Sequence, residues 1–378
     1  MDFRLTDEQQ LWYDTLQGFM DKEIGREYTR DHDERREFPD EAYRKIADNG
    51  WLGILIPEEY GGMAADAVMF AIFCESMAKF SLDTAACVMT GMFTATNICN
   101  HGTPEQKAKY LPGFLAGDVR FSISITEPDA GSDAAGLKTK AELDGEEWII
   151  NGNKVFSSGA HLPGNVIALL ARTGPDKHAG ISLILVPNDA PGVELRKMGT
   201  IVRKSFGTTE IFLTDVRVPK ENLVGEVNRG WEYLREHLEM ERLSLAASYV
   251  GNARTALDDA LRYSQQRHQF GRPLSKFQVL RHRLAEDATA VEAARLLMYN
   301  AATKIARGER ALKEVSMAKV FAADVAFKVA FNGMQLLGGY AQLPEYDMER
   351  YFREAKHAMV GGGTNEIQKS IIAKELGL

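Results

Sequence analysis

Cysteine is scarce in this chain: Cys74, Cys87 and Cys99 are the only three in 378 residues. Each sits in apolar helical text and none forms a CxxC pair. A disulfide framework and a cysteine-based metal site are therefore not expected, and buried free thiols fit a reducing compartment. Positive charge is also short: Lys and Arg number 45 against 53 Asp and Glu, a net charge of −8 with no basic run. That argues against nucleic acid as a main partner. The eight histidines show no metal-ligand spacing. No apolar run reaches the length of a membrane span, and no signal-like segment precedes the helix-like opening Thr6-Asp7-Glu8-Gln9. The expectation is a cytoplasmic protein, or a mature one of an organelle matrix. No GxGxxG follows a strand-like run and there is no P-loop, so a nucleotide bound in the Rossmann manner is not expected.

What is there falls into three stretches, in a chain long enough for a large core. Residues 1–118 read as helices. Thr6 with Gln9, and Thr103 with Gln106, have the spacing of capping boxes, and Pro39-Asp40 opens a helix that Asn49-Gly50 stops. Residues 119–228 carry short runs rich in β-branched residues, such as Phe121–Ile125, Val166–Ala171 and Ile181–Val186. Asp144-Gly145 and Asn151-Gly152 read as turn dipeptides, the former a hairpin turn. Helical periodicity returns over 229–378. The expected fold class is α+β, mainly α: an N-terminal helical domain, a central antiparallel β domain and a C-terminal helical bundle. Opposite charges at helical spacing, such as Glu27 and Arg30, read as solvated helix faces.

One residue breaks the pattern. In the helical text Trp231–Asn252, the steps Trp231, Leu234, Leu238, Glu241, Leu245 place a carboxylate on an apolar stripe. Glu is seldom buried without a partner, and an unpaired buried carboxylate costs several kcal/mol or takes up a proton. Glu241 is either paired, with Arg242 or an arginine of another helix, or poised as a base. A second feature is the loop Thr126-Glu127-Pro128-Asp129-Ala130-Gly131-Ser132-Asp133, which leaves a β run. Its backbone N–H groups and hydroxyls suit a carbonyl-rich or phosphate-bearing ligand, or form an ordinary turn.

That octapeptide resembles the TEPxAGSD signature of the acyl-CoA dehydrogenase family. Phe156-Ser157-Ser158 is similar to the family's aromatic-x-Ser/Thr element. Phe206-Gly207-Thr208-Thr209-Glu210 and Asp215-Val216-Arg217-Val218-Pro219 resemble the end of its β domain. Arg267-His268-Gln269-Phe270-Gly271, with Phe277-Gln278, resembles its R-x-Q-F-G…F-Q segment. Gln335-Leu336-Leu337-Gly338-Gly339 and Gly363-Thr364-Asn365-Glu366-Ile367 match the last two motifs, so the likeness runs in order over essentially the whole chain. The resemblance implies the family's three-part fold, FAD, an acyl-CoA substrate, usually a homotetramer, and electron transfer flavoprotein as electron acceptor.

The resemblance also implies roles. Ile123, Ile125 and Thr126 would lie along the isoalloxazine, with Phe156 and Ser158 on its other side and Ser132 at phosphate or substrate. Arg267, Gln269, Phe270 and Gln278 belong to the segment that reaches a neighbouring subunit's FAD, with Gln335 and Gly339 near its adenosine. Thr364 and Glu366 would close over the cofactor. Many members carry the catalytic Glu just before Gly-Thr, where this chain has Gly362. A minority, including isovaleryl-CoA-type enzymes, carries it on an earlier helix in a Glu-Arg-Leu context, matched here by Glu241-Arg242-Leu243. Glu241 is then the expected base, with Glu239, Arg242 and Gly362 on the substrate side. The expected reaction is α,β-dehydrogenation of an acyl-CoA. The alternatives are enoyl-CoA reduction, as in crotonobetainyl-CoA reductase-type members, oxygen-dependent oxidation or hydroxylation, and a catalytically silent relative.

Overall fold

The computed structural model of the chain describes residues 4–236 and 238–378. Helix starts follow the capping signals: both capping boxes form, at Thr6/Gln9 and Thr103/Gln106. In chain order the α-helices are α1 (Asp7–Phe19), α2 (Gly25–Arg35), α3 (Asp40–Asp48), α4 (Ala67–Met77), α5 (Leu82–His101), α6 (Pro104–Leu115), α7 (Gly230–Glu236), α8 (Leu238–Gln266), α9 (Gln278–Ala306), α10 (Leu312–Leu337), α11 (Met348–Ala358) and α12 (Asn365–Glu375). The chain divides into two units. Met1–Arg35, Asp66–Ala85 and Glu239–Leu378 make a helical unit; Arg36–Ala65 and Ala86–Leu238 make a unit that holds the main sheet.

The strands are β1 (Arg120–Ser124), β2 (Lys140–Asp144), β3 (Glu147–Ser158), β4 (Asn165–Arg172), β5 (Ile181–Pro187), β6 (Val193–Met198), β7 (Thr208–Pro219) and β8 (Leu223–Val224). They run in the order β6-β7-β3-β2-β4-β5-β8, with β1 on β4. The sheet is mixed, not antiparallel as the sequence reading has it: β1 pairs with β4 in parallel. A parallel pair needs a long crossover, and here the β2–β3 hairpin lies in the connection. Alternate residues of the strands build the core, among them Trp148, Ile150, Ile167, Leu169, Ile184, Val186, Ile211 and Val216.

Of the local expectations, one holds and three change. Asp144-Gly145 is the β2–β3 turn, with Gly145 at φ 61°. Asn151-Gly152 is not a turn; it lies inside β3, at a register shift against β7. Gly152 is required there because a Cβ would stand 2.4 Å from Thr139 Oγ1. Arg30 reaches Asp347, at 3.2 Å, and not Glu27. Finally, Leu312–Gln342 has the length and apolarity of a membrane span, with hydropathy 1.3, although no apolar run suggested one. Half of that window is buried inside the protein, as in a core helix.

Candidate active site

The stripe carrying Glu241 spans α7, described to Glu236, and α8, described from Leu238; His237 lies outside the described residues. The packed face of α8 is Leu243, Ala246, Ala247 and Val250, all buried. Small residues let that face approach α4 closely: a Cβ on Gly251 would stand 1.9 Å from the Glu75 carbonyl oxygen. Leu238, Glu241 and Leu245 are rotated away from it and remain part-exposed.

Among the described residues the Glu241 carboxyl makes no hydrogen bond or ion pair, so the paired alternative is not formed there. Burial pushes its pKa up; the Arg242 charge opposes this without cancelling it. Arg242 is itself buried, and its Nε has no hydrogen-bond partner. Burial lowers the Arg242 pKa, against the pull of Glu241 and Glu239. Glu239 is engaged elsewhere, accepting from the Ala311 N–H at 3.2 Å. Glu366 is exposed on the first turn of α12, its pKa drawn down by backbone and Thr364 hydrogen bonds. Thr364 caps that helix, accepting from Ile367 N–H at 3.2 Å.

Gly362 and Glu241, 121 positions apart in the chain (362 − 241), are neighbours in space. A Cβ on Gly362 would lie 3.9 Å from Glu241 Oε1 and 2.1 Å from Leu245 Cδ1. With φ at 64°, Gly362 is also in the left-handed region, so any side chain there is excluded twice over.

The Arg267 segment sits elsewhere in the helical unit. His268–Gln269 and Arg272–Pro273 pair as a short hairpin, β9 and β10. Its tip, Phe270-Gly271, has both residues at positive φ, and Phe270 is 93% exposed. Arg267, Gln269 and Gly339 line one groove of about 520 Å³ with Tyr263, Leu274 and Tyr340. The Arg267 guanidinium lies over the Tyr340 ring, 5.5 Å from its centroid. Gln278, the first residue of α9, and Gln335, near the end of α10, are exposed and do not line that groove.

In the sheet unit, Ile123, Ile125, Thr126 and Ser158 are part-exposed and Ser132 is exposed. Ile125 and Thr126 are tightly held. The Ile125 carbonyl accepts from Lys154 Nζ at 3.0 Å and the Thr126 carbonyl from Val155 N–H at 2.9 Å. Lys154 is fully buried and pairs with Glu127 at 2.9 Å. Burial draws Lys154 down to about 8, with Glu127 opposing. Burial pushes Glu127 up, but Lys154 and the N–H groups of Lys138 and Thr139 outweigh it and leave its pKa below the ordinary value. Phe156 is not core, as a β-strand aromatic would suggest. It is 60% exposed at φ 61°, where the β3–β7 register shifts. A bulge turns the ring outward.

Sequence reasoning missed Lys154 and Lys319, both fully buried. The signal that marks Glu241, a charge inside apolar text, is present at Lys319; Lys154 follows the polar Asn151-Gly152-Asn153 and carries no such signal.

Residues 6–118, 122–216 and 228–377 match the family models for the N-terminal, middle and C-terminal domains of acyl-CoA dehydrogenase. A probable acyl-CoA dehydrogenase of Bacillus subtilis is 38% identical and covers 100% of both chains. The caffeyl-CoA reductase-Etf complex subunit CarC of Acetobacterium woodii is 35% identical over 94% of each chain. The solved structure of butyryl-CoA dehydrogenase from Megasphaera elsdenii superposes with a TM-score of 0.93 at 31% identity, over 100% of both chains.

Proposed function

The chain belongs to the acyl-CoA dehydrogenase family, and from that premise we propose that it interconverts an acyl-CoA and its 2-enoyl-CoA, with Glu241 as the acid–base group at Cα. The observation that carries this reading is the carboxyl of Glu241 beside Gly362, without an ion pair among the described residues and with its proton affinity raised by burial. A general base works best when its pKa is moved toward the working pH.

The family binds FAD, and the residues of this chain fit a flavin. An apolar ring exposed at left-handed φ, as at Phe156, is a strained arrangement that packing within the unit does not explain. Arg267 in an open groove offers a planar donor set suited to pyrophosphate. In the sheet unit we assign Ile123, Ile125, Thr126, Phe156 and Ser158 to the isoalloxazine, and Ser132 to phosphate or substrate. In the helical unit, Arg267, Gln269, Phe270 and Gln278 serve the FAD of a second copy in a homotetramer. Gln335 and Gly339 belong near its adenosine, and Thr364 and Glu366 near the cofactor. Glu239 and Arg242 belong to the CoA side.

When bound, FAD supplies the two-electron acceptor or donor for the hydrogen at Cβ. Glu241 takes the α-proton in the oxidative direction and returns it in the reductive one. The space that a side chain at Gly362 would take is filled by Leu245, so room for a branched or cyclic acyl chain would have to come from elsewhere in the site.

The reductive direction is the second reading, favoured by the relative named as a caffeyl-CoA reductase–Etf subunit. Electron transfer flavoprotein is then the electron partner in either direction. Anaerobic titration of the flavin with a panel of acyl-CoAs, and of the reduced flavin with 2-enoyl-CoAs, identifies the substrate and the favoured direction. Absence of any absorbance change with every thioester would overturn the enzymatic reading.

A further inference from the structure

Lys319 is fully buried in α10, where a lysine is seldom found without something to hold it. Its ammonium donates to the Gly363 carbonyl at 2.9 Å and to Asn365 Oδ1 at 3.3 Å. Asn365 donates in turn to Asp324 Oδ1 at 2.8 Å. Gln368, also fully buried, donates through Nε2 to the carbonyls of Gly362 and Gly363 at 3.1 and 3.4 Å. Both carbonyls are therefore drawn toward α10 and α12. In a trans peptide C=O and N–H point in opposite directions, so the N–H groups of Gly363 and Thr364 face away from these donors.

The flanks of the loop are tied by the backbone: Gly361 N–H donates to the His357 carbonyl and Asn365 N–H to the Met359 carbonyl, each at 3.0 Å. Gly362 and Gly363, at φ 64° and 84°, have no side chains and little conformational preference. Between those flanks, the carbonyls of Gly362 and Gly363 are held by the two buried donors, Lys319 and Gln368.

We propose that Lys319 is a positioning residue for the reaction: by tethering Gly363 it holds the glycine loop against Leu245, beside the Glu241 carboxyl, and so keeps water off that carboxyl. The proposal rests on Glu241 being the acid–base group. The charged groups that bear on Lys319 are Asp324 from its own helix, Arg242 from α8 and Glu366 from α12. Arg242 is the charge that bears on Glu241. Burial draws Lys319 down to about 8, with Asp324 opposing, so it is charged where the tether is needed at neutral pH.

The test uses FAD-loaded enzyme carrying Lys319→Met, Gln368→Leu or Glu241→Gln, with three readouts: kcat against pH, FAD content, and exchange of the hydrogen-bonded amides of Gly361 and Asn365. Lys319→Met is expected to keep its FAD, to lose about tenfold or more in kcat, and to speed exchange at those two amides. Water then reaches Glu241, so the acid limb of the kcat profile moves to lower pH. Deleting a positive charge without moving the loop would shift that limb upward, so the direction separates the two effects. Gln368→Leu removes the second donor and is expected to give the same directions; it carries the test if Lys319→Met does not fold. An acid limb that stays in place or rises, with exchange unchanged, overturns the proposal. If Glu241→Gln keeps wild-type turnover, the base assignment fails instead. An inactive Glu241→Gln with an unmoved limb in Lys319→Met removes the tether alone.

Discussion

Replacing Glu241 by Gln should make the protein less active and more stable. The side chains are nearly the same size, so no cavity opens. What is lost is the proton acceptor, and no nearby carboxylate replaces it: Glu239 is bound to the Ala311 N–H, and Glu366 is exposed with a lowered pKa. General acid–base groups contribute roughly 10²–10⁴-fold, and turnover should fall by at least that much while FAD stays bound. The stability effect comes from the same burial. A carboxyl whose pKa is raised by folding binds protons more tightly folded than unfolded, so stability is lost as pH rises from the unfolded value through the folded one. Each unit of that rise is worth about 1.4 kcal/mol, and Gln escapes it. Thermal unfolding of variant and wild type should therefore differ at pH 8, with the variant higher by on the order of 1 °C per kcal/mol. The difference should vanish near pH 4, where both side chains are neutral. Anaerobic turnover with an accepted acyl-CoA, measured beside the two melting curves, checks both halves. Near wild-type turnover, or a variant less stable at pH 8, would refute the reasoning.

Other perturbations follow from single contacts. Gly362→Ala places a methyl 2.1 Å from Leu245 Cδ1 at a left-handed φ; it should cost about 1–3 kcal/mol and depress kcat/KM, and adding Leu245→Ala should recover part of the loss in both assays. Lys154→Met leaves Glu127 buried without its ion pair; urea unfolding should show a loss of about 3–5 kcal/mol, much of it recovered in the double variant with Glu127→Gln. Glu354 is buried, and burial, reinforced by Asp83, raises its pKa to about 8. Wild-type stability should then decline as pH rises from about 4.5 toward 8, and Glu354→Gln should flatten that decline in melting curves taken across the range.

The helix starts were legible because their signals are local: Thr6 and Thr103 cap their helices, and Pro39 stands just before the first residue of α3. The β stretch was legible from its composition, but the parallel β1–β4 pair was not, because register between strands 40 residues apart leaves no local trace. Asn151-Gly152 misled for the same reason: the dipeptide suits a turn, and the bulge that uses it is imposed by β7 and Thr139. At the candidate site, Glu241 and Gly362 could be linked by family motif alone. The exposure of Phe156 and the burial of Lys154 and Lys319 depend on neighbours far along the chain.

By itself, the sequence determined the family, the order of helical and β stretches, and a carboxylate on α8 with a glycine where the usual base stands. Those are properties of residue type and short-range spacing. Only the tertiary structure decided that Glu241 has no ion pair among the described residues, that Gly362 lies beside it, and that Lys319 and Gln368 hold the loop between α11 and α12. Burial and pairing depend on what surrounds a group, and here the surroundings come from segments far apart in the chain.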